Sequence, residues 1–228
     1  MGTAYRSINK KLDRVLGRML RPARPPVAVA RVSRTPGGIP RFRGRVPSMC
    51  SFWPRAQRRL FVAEAADHMN CPVGALIGGF ELTAAARRQL GDAVAMMCRV
   101  GYLRPGEAEK ISTMPRGTRA ILYGPLARFP ARPEFVLMWL RPAQAMILRE
   151  AVGGKILGRP ACSALPAAHA TGHATFSLGC TGMRAFTGVD EAMMLSVLPH
   201  EALRHVEARL RRIVAANRAM KAYYDRNA

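Results

Sequence analysis

With 228 residues, 49% of them hydrophobic, the chain is apolar enough to bury a substantial core, which excludes a segment too polar to fold. No run approaches the roughly 18 consecutive apolar residues that would span a bilayer as a helix. The net charge of +22 suits an anionic partner, but lysine occurs only at positions 10, 11, 110, 155 and 221, and the arginines are scattered, with no run that reads as a basic arm.

The start, MGTAYRSINKKLDRVLGRML, is polar and amphipathic and lacks the apolar core and small-residue cleavage site of a secretory leader. The expectation is a cytoplasmic protein without a membrane span. Disulfides are rare in that compartment, so the five cysteines are expected to be buried, metal-binding or catalytic. Ile8, Leu12, Val15, Leu16, Met19 and Leu20 recur at helical spacing and predict a helix over residues 4–20, ended by Pro22 and Pro25-Pro26. Val27 to Val32 is short and rich in β-branched residues, as strands are. A Pro/Gly-rich connection follows, carrying Arg41, Arg43 and Arg45.

Cys50 opens the first informative region. Ser51-Phe52-Trp53-Pro54 reads as a helix start, Phe61-Val62 as a short strand, and Val73 to Leu76 as the next helix, directly after Asn70-Cys71-Pro72. A thiol at a helix N-terminus favours the thiolate, the form that binds metal or attacks. Residues 83–100 are strongly helical, with Leu90, Val94, Met97 and Cys98 as the apolar face, and Cys98 reads as an inert core residue. A helical turn over residues 107–111, strands over 118–122 and 135–140, and a helix over 142–152 come next.

The second informative region is GRPACSALPAAHATGHATFSLGCTGMRAFTG, over residues 158–188. Cys162 precedes a short helix at Ser163 to Pro166. A strand-like Ala174 to Leu178 then delivers Cys180 in the turn Gly179-Cys180-Thr181-Gly182, where glycine lets backbone approach a ligand closely. Residues 192–198 read as a strand, and Leu203, Val206, Leu210, Ile213 and Val214 as the buried face of a closing helix. Strands and helices in this irregular order predict an α+β or α/β fold, a mixed sheet flanked by helices in one domain over residues 1–228. The cysteine pairs suggest two related halves, residues 1–115 and 116–228.

The motifs Pro26-Val27-Ala28-Val29, Cys50-Ser51-Phe52-Trp53, His68-Met69-Asn70-Cys71-Pro72-Val73-Gly74, Arg159-Pro160-Ala161-Cys162 and Ser177-Leu178-Gly179-Cys180-Thr181-Gly182-Met183-Arg184, followed by Asp190-Glu191 and a helix containing Ala216-Asn217, occur in that order. In this order the chain resembles the family called domain of unknown function 169. The resemblance covers nearly the whole chain and implies kinship of fold, with no reaction attached.

Cys50, Cys71, Cys162 and Cys180 are separated by 21, 91 and 18 residues, which is no compact zinc knuckle or ribbon. Four separate turn-borne cysteines can instead hold an iron-sulfur cluster, and the leading expectation is a four-iron, four-sulfur centre on these four residues, served by a redox partner. Tetrahedral zinc on the same ligands is the alternative. A second class of function is a cysteine enzyme or a binder of a small anionic ligand. It would use Cys180 or Cys71 with His68, His169 or His173 as base, and His68, Asn70 and Arg184 as ligand contacts. A third is a basic nucleic-acid-binding module, which the 7% aromatic content and the lack of a recognition motif disfavour.

Overall fold

Residues 2–227 are described by a computed structural model of the chain. Seven strands form one sheet: β1 (Val27–Val32), β2 (Phe61–Glu64), β3 (Ala120–Pro125), β4 (Phe135–Leu140), β5 (Lys155–Leu157), β6 (Thr175–Ser177) and β7 (Met194–Pro199). Across the sheet they run in the order β2-β3-β1-β4-β7-β6-β5. Neighbours are antiparallel except β5 and β6, which are parallel. The fold is therefore α+β around a mixed sheet, as the element order predicts. Strand β3, from the second half of the sequence, lies between β2 and β1 from the first.

Side chains alternate across a strand, so each one feeds two faces. Here both faces are covered, and the central strands carry no polar stripe: all six residues of β4, Phe-Val-Leu-Met-Trp-Leu, are buried. Val136, Met138 and Leu140 point into one core, shared with Leu16 and Leu20 of α1 (Gly2–Leu20), Leu148 of α6 (Pro142–Val152) and Leu210 of α10 (Val206–Asn227). Phe135, Leu137 and Trp139 point into the other. That layer is built from α2 (Phe52–Ala56), α3 (Ala65–His68), α4 (Pro72–Ile77), α7 (Ala164–Thr171) and α8 (Thr181–Thr187), with α5 (Ala84–Arg99) at its margin and α9 (His200–Leu203) at the end of β7. Every cysteine except Cys98 belongs to this second layer.

Several local expectations need correction. On α1, Ile8 is 59% exposed and the buried neighbour is Asn9, whose amide donates to the carbonyls of Phe129 and Ala131 at 2.9 Å each. On α10 only Val206 and Leu210 are buried, and Leu203 belongs to the separate turn α9, because the helix runs on past the domain edge into solvent. Ala86 is the single buried residue of α5, and Cys98 is half-buried, outside both cores. Strand β5 and helix α8 were not predicted. The first is a three-residue edge strand with an exposed pattern, and the second hides behind a Gly-Cys-Thr-Gly run that reads as a turn. No helix among the described residues is long and apolar enough to cross a membrane.

Candidate metal centre

Each of Cys50, Cys71, Cys162 and Cys180 sits where a turn becomes a helix, and those junctions meet in the second layer. Cys50 is in a 3-10 turn, Met49–Ser51, that leads straight into α2, and Cys162 is in a matching turn, Ala161–Ser163, that leads into α7. Cys71 and Cys180 occupy the N-cap positions of α4 and α8. The Met49–Ser51 turn packs against both α4 and α8, and α4 also packs against the Ala161–Ser163 turn. The expected four cysteines are thus brought together from four segments distant in the chain.

Cys50 and Cys162 are 4% and 5% exposed, and each acts on the other's titration. The neighbouring Cys162 thiol lowers the pKa of Cys50 against the opposing effect of burial, and the Ser48 hydroxyl assists. Cys162 moves well above the ordinary thiol range, first through its neighbour Cys50, then through burial, then through the charges of Cys50, Cys71 and Cys180. The two thiols therefore part in pKa, Cys50 downwards and Cys162 upwards.

Ser48 ties two of the sites together. Its hydroxyl accepts the Cys50 backbone N–H at 3.3 Å and the Cys71 thiol at 3.8 Å. Gly74 makes room for this: a Cβ there would lie 2.6 Å from the Cβ of Met49 and 3.0 Å from the Cys71 sulfur, so α4 reaches the cysteine turns only with a bare backbone. Cys180, half-buried, takes the backbone N–H of Met183 on its sulfur at 3.4 Å. Among the described residues, no group of three or more His, Cys, Asp or Glu side chains is arranged to hold a single metal ion.

The other sequence-predicted residues fare differently. His68 is 1% exposed and fully engaged: Nδ1 donates to the Glu64 carbonyl at 2.8 Å, and Nε2 accepts from the Tyr123 hydroxyl at 3.1 Å. Burial lowers its pKa to about 4, so the ring is neutral at physiological pH and has no free nitrogen for a ligand or a thiol proton. His169 lies 3.5 Å from Glu134, in a different cavity from Cys180, and His173 is exposed. Asn70 is exposed on the turn before Cys71. The Arg184 guanidinium is pinned by the carbonyls of Leu178, Asp190 and Met193 at 2.7, 3.0 and 3.3 Å. It is a fixed structural charge, bonded to the Asp190 backbone and with its N–H groups spent on carbonyls in place of the expected ligand.

Sequence reasoning missed Ser48, Gly74 and Tyr123. Tyr123 is fully buried, and its hydroxyl is held in the neutral form by burial first and by the charges of Cys50, Cys162 and Cys71 next. In sequence it is one apolar residue of a strand, and nothing local marks it. A family model, DUF169, described as uncharacterised ArCR, matches residues 15–209. No curated protein and no solved structure matches the chain.

Proposed function

The chain belongs to the uncharacterised family DUF169, from which no reaction is inherited, and we propose from its own residues that it is an iron-sulfur protein with Cys50, Cys71, Cys162 and Cys180 as ligands. The observation that carries the proposal is the junction of four helix starts at which three other thiols act on Cys162. The groups acting on Cys50 and Cys162 are thiols, the Ser48 hydroxyl and backbone N–H, with no cation among them. Thiolates buried without a counter-charge are costly, so a cationic centre is what would let both Cys50 and Cys162 ionise.

Tetrahedral zinc draws its four sulfurs around one atom, and no three side chains among the described residues are gathered that closely. A cluster of several irons and sulfides holds its cysteines farther apart, one on each iron. When bound, it supplies a one-electron couple whose potential follows burial and hydrogen bonds to sulfur. The protein's own share is to exclude water with Phe52, Trp53 and Met183 and to present the Ser48 hydroxyl to the sulfurs of Cys50 and Cys71. The cysteine-enzyme reading lacks its expected histidine base, since His68 is spent, His169 lines another cavity and His173 is exposed. The nucleic-acid reading rests on net charge alone.

The test is iron and acid-labile sulfide analysis of protein purified without oxygen. The proposal expects about four of each per chain, visible absorbance that bleaches on reduction, and loss of both in Cys162→Ala and Cys71→Ala but not in Cys98→Ala. Fresh anaerobic protein with neither iron nor sulfide would falsify it, and stoichiometric zinc would replace it with the alternative.

A further inference from the structure

Cys180, whose charge acts on Cys162, also lines an open cavity of about 530 Å³, together with Tyr102, Arg159, Gly179, Thr181, Arg184 and Glu191 among others. We propose that this cavity binds a small organic monocarboxylate, with Arg159 as the residue that grips it. The cavity stands by itself, and its placement beside a metal cluster rests on the function proposed above.

The wall is built to present a guanidinium edge-on. Arg159 lies over the Tyr102 ring with its central carbon 4.0 Å from the ring centroid. Stacking uses the flat face and leaves the in-plane N–H groups for a partner. Tyr102 is steadied in turn by its hydroxyl, 3.4 Å from the Thr181 hydroxyl at the start of α8. Among the described residues neither Arg159 nor Arg184 forms an ion pair, although Glu191 lines the same cavity. Apart from Cys180, whose charge the proposed cluster would take up, two arginines and one glutamate leave the lining one positive charge in excess, which a monoanion neutralises.

Geometry selects within the anions. Arg184 spends N–H groups of both terminal nitrogens on three backbone carbonyls, so it contributes charge and little direct contact. A single forked donor then remains, and the two N–H groups of one guanidinium edge match the two oxygens of a carboxylate. Phosphate carries more charge and more oxygens than one fork satisfies. The volume lies within the range of small-molecule sites, roughly 300–1,000 Å³, and leaves room for an organic remainder beyond the carboxylate. Gly179, at φ +95°, keeps the floor open: a Cβ there would come 2.7 Å from the Met183 methyl and 3.5 Å from Arg184 Nε.

The test is a ligand-observed NMR titration of full-length protein with propionate, with inorganic phosphate as competitor and iron measured on each sample. The expected result is saturable binding with a Kd on the order of 1 mM or tighter, and at least about tenfold weaker binding to both Arg159→Gln and Arg159→Lys, since lysine keeps the charge and loses the fork. Phosphate should not displace the acid at equal concentration. Absence of saturation, variants that bind like the parent chain, or displacement by phosphate overturns the assignment. Iron-free protein that still binds propionate through Arg159 keeps the cavity and drops the cluster, whereas iron-loaded protein indifferent to propionate does the reverse.

Discussion

Acid should destabilise this protein through one buried ring. His68 stacks on Phe80 with centroids 4.3 Å apart and lies 4.7 Å from Phe52, so a second ring proton would place a charge among buried rings and force the Tyr123 hydroxyl to reverse its bond to Nε2. In the folded chain the ring titrates at about 4, and once unfolded it returns to about 6.5. The unfolded state therefore binds the proton first. The contribution is whole above about pH 6.5, falls as pH drops towards 4, and changes no further below that, a loss on the order of 3 kcal/mol across the window. Other groups act in the same range. His200, lowered mainly by burial, adds to the acid loss, whereas Asp13 and Asp67, raised mainly by burial, oppose it. The informative quantity is consequently a difference: urea unfolding free energy of the parent chain and of His68→Phe, measured from pH 7.5 to 4.5. The parent should lose more stability than the variant across that span, and parallel curves would refute the reasoning. Should His68→Phe fail to fold, the His68 Cε1 proton of the parent chain gives the same answer by NMR, and a midpoint near 6.5 would sink it.

Two further substitutions test the packing that shapes the centre and anchors the first helix. Gly74→Ala forces a methyl to 2.6 Å from Met49 and 3.0 Å from the Cys71 sulfur; strain of about 1–3 kcal/mol outweighs the helix-propensity gain of at most about 1 kcal/mol. A lowered urea midpoint with reduced iron loading is expected, and an alanine variant as stable as the parent would show that α4 is free to shift. Asn9→Leu leaves the carbonyls of Phe129 and Ala131 bare inside the protein, at a cost of about 1–3 kcal/mol for each group left unsatisfied. Thermal unfolding reads that loss, and an unchanged midpoint would mean that water reaches those carbonyls.

How much could be read from the chain depended on where the information lay. Val27 to Val32, Phe135 to Leu140 and Pro142 to Val152 match their predicted bounds because composition, period and a proline at the first helical turn are local signals. Cys50, Cys71, Cys162 and Cys180 stood out for a similar reason, each beside a proline, glycine or serine that marks a turn. The misjudged residues had distant partners. His68 looked like a ligand contact until Tyr123, 55 positions away, took its free nitrogen, and Arg184 looked like a clamp until three carbonyls enclosed it.

Sequence alone determined most kinds of element, the turn setting of the four thiols and the excess of arginine, because each is a property of neighbouring residues or of composition. Tertiary structure decided that the cysteine turns meet. The sheet order places the strands from both parts of the chain side by side, and the helices crowd their starting ends into one layer above them. It also decided which side chains remain available for chemistry. A polar group's role is set by whichever partners folding brings to it, and for His68 and Arg159 those came from segments that no local pattern connects.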